Sequence, residues 1–285
     1  MNNLDRIKYY LGANLVNGNV KIDGKFQNIN DLQNNDLYGM SLKKLLITTD
    51  NQKKSFKFLS GDISGKTDTL TLCKNRATDC IDGVILRCLN FNRHWAYYYN
   101  KPKDIPFTEK KNIIFWRGIT TGQINRKTGN RFDLITKWFN TNKNIDIGFS
   151  FICQDKDAYK KYVKGSCDIP HFLAHKYILS IEGNDKDSGL QWKLNSNSVV
   201  LMTKPRITSW LMETTLQPNY HYVLLKDDFS DLEEKLNWCN NNQQKCVDIV
   251  KNANKFMSQF SNNDNELKLE NDVINYYFKL LNAKL

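Results

Sequence analysis

Arg117, Gly118, Thr120, Thr121, Arg126 and Arg131 fall within fifteen residues, in the stretch RGITTGQINRKTGNR that follows the apolar run IIFW. Guanidinium forks, hydroxyls and backbone N–H groups just ahead of a helix are the groups that hold a phosphate or diphosphate. The spacing is neither G-x-x-x-x-G-K-[ST] nor G-x-G-x-x-G, so on pattern alone a solvent loop with incidental arginines accounts for it equally well. A second polar loop, EGNDKDS, follows YILSI and carries Glu182, Gly183, Asp185, Asp187 and Ser188. Carboxylates spaced D-x-D suit a hard divalent cation. Asp187 or Ser188 just before GLQWKL is also an ordinary helix N-cap, and that reading is preferred, with no metal expected. After VVLM comes TKPRITSWLMETTL, where Lys204 and Arg206 stand near the end of the apolar run. Glu213 lies further on, in an expected helix, where it reaches either ribose hydroxyls or water. In the N-terminal half, CKNRATDCIDG and NFNRHWAYYYN gather Arg76, Asp79, Asp82, Arg93 and His94 at loop positions. A carboxylate there can accept the proton of an attacking hydroxyl, as can His94, although a histidine beside tryptophan more commonly packs.

These residues need elements to position them. From residue 112 onward apolar runs alternate with helical patterns: NIIFWRG, NRFDLITKWFN, IDIGFSFI, DAYKKYVKG, KYILSIEG, SGLQWKLN, SVVLM, ITSWLMETTL, HYVLL and SDLEEKLNWC. Strands alternating with short helices predict βαβ units and a parallel sheet. In such a sheet the loops at the carboxyl ends of the strands form one ligand-binding rim, which puts all three C-terminal loops above on the same side. The first half predicts an opening helix at LDRIKYYLGANL and short strands at KLLITTD, SFKFLSGD, DTLTLCKNR and GVILRCLNF. YYYNKPKDIPFTEKKN, residues 97–112, lacks helical periodicity and predicts a linker. ENDVINYYFKLLNAKL predicts a long amphipathic helix that crosses back to the first lobe. The expected domains are therefore 1–108 with helix 264–285, and 109–263.

The chain has 285 residues, enough for two modest cores. Lysine and arginine exceed aspartate and glutamate by 41 to 30, a net +11, which favours polyanionic partners without choosing among them. The lysines are scattered rather than clustered, which disfavours nucleic acid as the partner. Seven dispersed cysteines with no C-x-x-C pair fit a reducing compartment and no zinc site. With no signal-like N-terminus and no long apolar run, a cytoplasmic protein is expected, with peripheral contact to an anionic membrane face.

The segments LCKNR, NRHWAYYY, IIFWRGITTG, HKYILSIEGNDKDSGLQWKLNSNSVVLM and KPRITSWLMETTLQPNYHYVLLKDDFSDLEEKLNWC together resemble glycosyltransferase family 90. The resemblance implies an α/β fold of GT-B type, two Rossmann-like lobes with a cleft between them. It also implies inverting, metal-independent transfer of a hexose or pentose, glucose or xylose, from a UDP-sugar to a hydroxyl of a glycan or glycolipid acceptor such as lipopolysaccharide. No cofactor is implied. Arg117, Gly118, Thr120, Thr121 and Arg131 become diphosphate candidates, and Glu182, Gly183, Ser188, Lys193 and Glu213 nucleotide candidates. Glu182 stands where animal members carry arginine, which brings the chain nearer the bacterial branch. Animal members also have an Arg-Asp pair whose aspartate is the base. Here Arg76 is followed by Ala77, so Asp79 is the candidate base, with His94 beside it in the same region. A catalytically idle family member that binds glycan or nucleotide is the other reading of that departure.

Overall fold

The computed structural model describes residues 1–33, 36–61, 69–80, 82–86, 103–122, 128–154 and 156–283. In chain order it contains helices α1 (Asn3–Leu11), α2 (Ala13–Val16) and α3 (Leu37–Thr48), then strands β1 (Phe58–Leu59), β2 (Leu72–Cys73), β3 (Asn75–Ala77) and β4 (Val84–Ile85). Strand β5 (Lys111–Gly118), helix α4 (Arg131–Trp138), β6 (Ile145–Phe149), α5 (Ile169–Leu173), β7 (His175–Leu179), α6 (Leu190–Leu194) and β8 (Val199–Met202) follow. The chain continues through β9 (Ile207–Ser209), β10 (Val223–Leu224), α7 (Leu232–Asn241), α8 (Gln243–Ser258) and α9 (Asn263–Asn282).

Two compact units result. One comprises Met1–Ala96, Arg206–Thr214 and Gln259–Leu285, and the other Tyr97–Pro205 and Thr215–Ser258. The second unit is built on a five-stranded parallel sheet of order β10-β8-β7-β5-β6. Its inner strands β7 and β8 are buried along their whole length, and their successive side chains point to opposite faces of the sheet. Ile114 and Trp116 of β5 and Tyr177 and Leu179 of β7 enter one core with Phe132, Ile147 and Leu232. Phe115 and Ile178 enter a smaller one with Phe172, Leu173 and Trp192. Each such side chain is worth roughly 1.5–3 kcal/mol of burial, so these alternating apolar runs fix the strand register. β5 starts the sheet, β6 adds on one side, and β7, β8 and β10 add on the other. The strand order thus reverses between β5 and β7, and that reversal is where an open parallel sheet leaves a crevice at its carboxyl edge.

The first unit holds a three-stranded parallel sheet, β1-β2-β4, and an antiparallel pair, β3-β9, in register Arg76 to Thr208. Helix α1 begins at Asn2, whose side chain accepts the Asp5 N–H, and ends at Gly12 with φ 88°. It packs against α9 through a buried ion pair. The Arg6 guanidinium donates to both Glu266 oxygens, 2.7 Å to Oε2, and lies 4.7 Å from the centre of the Phe260 ring.

Three expected elements differ. KLLITTD lies in α3 and the following turn, because Leu42, Leu45 and Leu46 bury one side of a helix rather than alternate. ITSWLMETTL forms β9 and a turn of 3₁₀ helix at Glu213–Thr215, since pairing with β3 takes its first residues. This pairing also places 206–214 with the first unit, where an unbroken second lobe from 109 to 263 was expected. DAYKKYVKG forms only a 3₁₀ helix, Asp157–Tyr162. Helix α8 was not foreseen, although Cys246, Ile249, Val250, Ala253 and Met257 are spaced as one buried helical face.

Candidate active site

At the carboxyl edge of the second unit's sheet, the loops after β5, β6 and β7 are tied to one another. Gly118 ends β5 where a Cβ would come within 2.5 Å of the Trp116 ring. Thr120 is fully buried. Its hydroxyl donates to the Cys153 carbonyl and accepts the Cys153 N–H, both at 2.7 Å, which joins the β5 loop to the β6 loop. Gly122, with φ +107°, donates its N–H to Asn184 Oδ1 at 3.0 Å, and its Cα faces the Gly183 backbone so closely that an added Cβ would lie 3.2 Å from the Gly183 carbonyl oxygen. Only glycine takes that conformation and that approach without strain.

Arg131, the first residue of α4, braces this contact from below. It donates to the Ile181 carbonyl from Nε at 3.3 Å and Nη2 at 3.0 Å, to the Ile119 carbonyl at 3.1 Å, and to Thr121 Oγ1 at 2.8 Å. A Cβ on Gly183 would stand 2.7 Å from Thr121 Oγ1 and 3.1 Å from the Arg131 guanidinium carbon. The helix itself starts at Asn130, which shares a reciprocal capping box with Asp133.

Asp187 anchors the other side of the crevice. Its Oδ2 accepts the Ser180 hydroxyl at 2.8 Å and the Lys193 ammonium, and its Oδ1 accepts the Gly189 N–H at 2.9 Å. Burial pushes its carboxyl up, but the Lys193 charge and hydrogen bond, the Gly189 N–H and the nearby Arg131 outweigh it and hold the group below the usual carboxylate range. Lys193 also donates to the Leu179 carbonyl at 3.0 Å. The second aspartate of the D-x-D is therefore committed to holding the loop on α6. Among the described residues no cluster of three or more His, Cys, Asp or Glu side chains is placed to hold a metal ion.

Arg117 lies apart from this group. Its side chain shares the Phe115 face of the sheet, whereas Arg131 lies over Trp116 on the other. It donates to Asp146 Oδ1 and Oδ2 at 2.9 and 3.0 Å, and Lys164 reaches Asp146 Oδ1 at 2.8 Å. Burial would raise the Asp146 carboxyl, and the two cations bring it below its usual value instead. Glu182 is half-buried, and Ser188 and Lys204 are exposed. Thr121, Gly122, Arg131, Gly183, Asn184 and Asp187 are thus brought together, while Arg117 is held away from them by Asp146.

The remaining candidates belong to the first unit. Buried Arg76 donates to the Gly83 carbonyl at 2.8 Å and to the Tyr10 and Tyr9 carbonyls, fastening the end of α1 to the β3–β4 turn. It lines a recess of about 500 Å³ with Asp5, Tyr9, Thr78, Cys80 and Thr208. Asp79 is exposed in the turn just after β3. Glu213 is 1% exposed and accepts the Ser209 N–H at 2.6 Å and the Ser209 hydroxyl at 2.7 Å, so at the start of its 3₁₀ turn it closes the turn after β9 and is turned inward, away from water. His94 lies outside the described residues. Asp5 and Tyr9 were not singled out from sequence, although their i, i+4 spacing on a predicted helix puts them on one face.

Residues 94–285 match the model of glycosyl transferase family 90. The chain belongs to this family. It is 33% identical over 230 residues to O-glucosyltransferase LpsA of Dichelobacter nodosus, a match covering 80% of this chain and 68% of that one. It is 28% identical over 179 residues to Protein O-glucosyltransferase 2 of Danio rerio, covering 61% of this chain and 33% of the other. A 92-residue segment is 35% identical to the Uncharacterized protein 179R of Invertebrate iridescent virus 6, 30% of this chain and 8% of that protein. Membership in family 90 and the O-glucosyltransferase names of two of these relatives support glycosyltransferase activity, with a sugar donor and a glycan acceptor. Every loop that builds the second unit's crevice falls inside the family match.

Proposed function

We propose that this family 90 chain transfers glucose, or a closely related hexose or pentose, from a UDP-sugar to a hydroxyl of a glycan such as lipopolysaccharide, with inversion and without a metal, on a fold of GT-B type. The observation that carries the donor assignment is the braced crevice between β5 and β7, where Gly122 meets Gly183 over Arg131 at the point of strand-order reversal. Glucose is favoured because two relatives carry the name O-glucosyltransferase. Metal independence is supported by the commitment of Asp187 to Ser180, Gly189 and Lys193, which leaves the D-x-D without the ligand set a cation needs.

In this reading the two expected diphosphate arginines shape the loops, since both are engaged with protein groups. Exposed Ser188 and Lys204 meet the diphosphate, and half-buried Glu182 lies along the nucleotide. The acceptor occupies the recess beside Arg76 and Tyr9, and Asp79, exposed after β3, takes its hydroxyl proton. The acceptor oxygen then bonds the anomeric carbon as the bond from that carbon to the diphosphate oxygen breaks, and UDP departs with the electron pair.

Incubation with UDP-glucose, UDP-xylose and UDP-galactose, with and without chelator, tests the proposal through UDP release. Release with one donor that survives chelation is expected. No release with any of them would favour a nucleotide- or glycan-binding role, the reading that Ala77 after Arg76 leaves as second choice. Asp79→Asn is expected to lower turnover by about 10²-fold or more while UDP affinity is kept, and full turnover would remove Asp79 as the base.

A further inference from the structure

Helix α3 is apolar on both sides. Leu42, Leu45 and Leu46 are buried, while Leu37, Met40 and Ile47 are 67%, 49% and 55% exposed. At about 3.6 residues per turn, Leu37, Met40, Lys44 and Ile47 form one outward stripe along the helix. Scattered apolar side chains on a surface need no explanation, but three large ones in line on one helix do. The charge within the helix has one sign. No acidic residue occurs from Leu37 to Thr48, which includes Lys43 and Lys44, and Lys53 and Lys54 follow closely. The acids that flank it in sequence are Asp36, whose carboxylate accepts the Tyr38 N–H and the Ser60 hydroxyl, and Asp50.

We propose that α3 is a membrane-docking helix that lies in the headgroup layer of an anionic bilayer. Its apolar stripe enters the acyl boundary and its lysines reach the lipid phosphates. Lysine in the middle of the stripe decides between a lipid and a protein occupant. The core of a protein interface is depleted in lysine, whereas at a bilayer the lysine stem lies among apolar groups and its ammonium rises to the headgroups. The chain's net +11 adds attraction to an anionic surface. No helix among the described residues is long and apolar enough to cross a membrane, so this is contact along the surface. The inference does not depend on the transfer reaction.

Cosedimentation of the whole chain with vesicles of phosphatidylcholine alone, and of phosphatidylcholine with phosphatidylglycerol, tests it. Binding to the anionic vesicles is expected, weakened by salt above about 0.1 M as screening shortens its range. A triple variant, Leu37→Gln with Met40→Gln and Ile47→Gln, is expected to bind about tenfold or more weakly, with its thermal midpoint and UDP affinity unchanged. Lys43→Gln with Lys44→Gln is expected to reduce binding to the anionic vesicles alone. Equal binding to both vesicle types, or parent-like binding by the triple variant, would overturn the proposal. So would a parent that ignores vesicles but self-associates through the stripe, with the triple variant monomeric.

Discussion

Asp187 illustrates how a residue's role depends on partners that its own spacing does not announce. Its position in D-x-D is visible in the sequence, but the ammonium of Lys193 and the hydroxyl of Ser180 that take its oxygens become its neighbours only when α6 folds back on β7. Asp187→Asn leaves Lys193 buried without its counter-charge and is expected to cost about 3–5 kcal/mol, measured as a lower urea midpoint. Its pH dependence has a definite sign. Because the folded carboxyl titrates below its unfolded value, the stabilisation is fully present above roughly pH 4 and is lost as pH falls through the folded value. The parent should therefore lose stability on acidification in that range, and Asp187→Asn should lose less. Arg117 follows the same logic: it was legible as a cation after a strand, but Asp146, 29 residues away, claims it.

At the scale of elements, what could be read from sequence was what is local. β5, β7 and β8 announce themselves as apolar runs with buried residues on both faces, β6 by the alternation of Ile145, Ile147 and Phe149, and α4 by the helical pattern of NRFDLITKWFN. α3 was misread because its exposed stripe makes it apolar all round, which hides the helical period. β9 was misread because its partner, β3, lies far away in the chain, and nothing in ITSW itself records that pairing. The join of α1 to α9 is equally nonlocal and carries an energetic prediction. Glu266→Gln strands the Arg6 guanidinium in a buried site and is expected to destabilise by about 3–5 kcal/mol. Replacing both, Arg6→Met with Glu266→Met, should recover most of that loss in a double-mutant cycle followed by chemical denaturation.

For the whole molecule, the family match begins at residue 94, while α1, α3 and most of the residues lining the recess beside Arg76 lie ahead of it, Thr208 and Thr214 being the exceptions. The shared part of the chain therefore carries the crevice proposed for the donor, and acceptor choice is expected to be decided mainly by residues outside the match, Asp5 and Tyr9 among them. Asp5→Ala should then change the KM for acceptor and leave UDP affinity as it was. The central claim is that the Gly122–Gly183 contact forms the wall of a UDP site. Calorimetric titration of UDP into the parent and into Gly183→Ala, with chelator present and thermal midpoints recorded, tests it most directly. The parent is expected to bind, and the added methyl, 2.7 Å from Thr121 Oγ1, to weaken binding about tenfold or more, which is about 1.4 kcal/mol. Equal affinity in a folded Gly183→Ala protein, or no binding of UDP by the parent, would contradict the account.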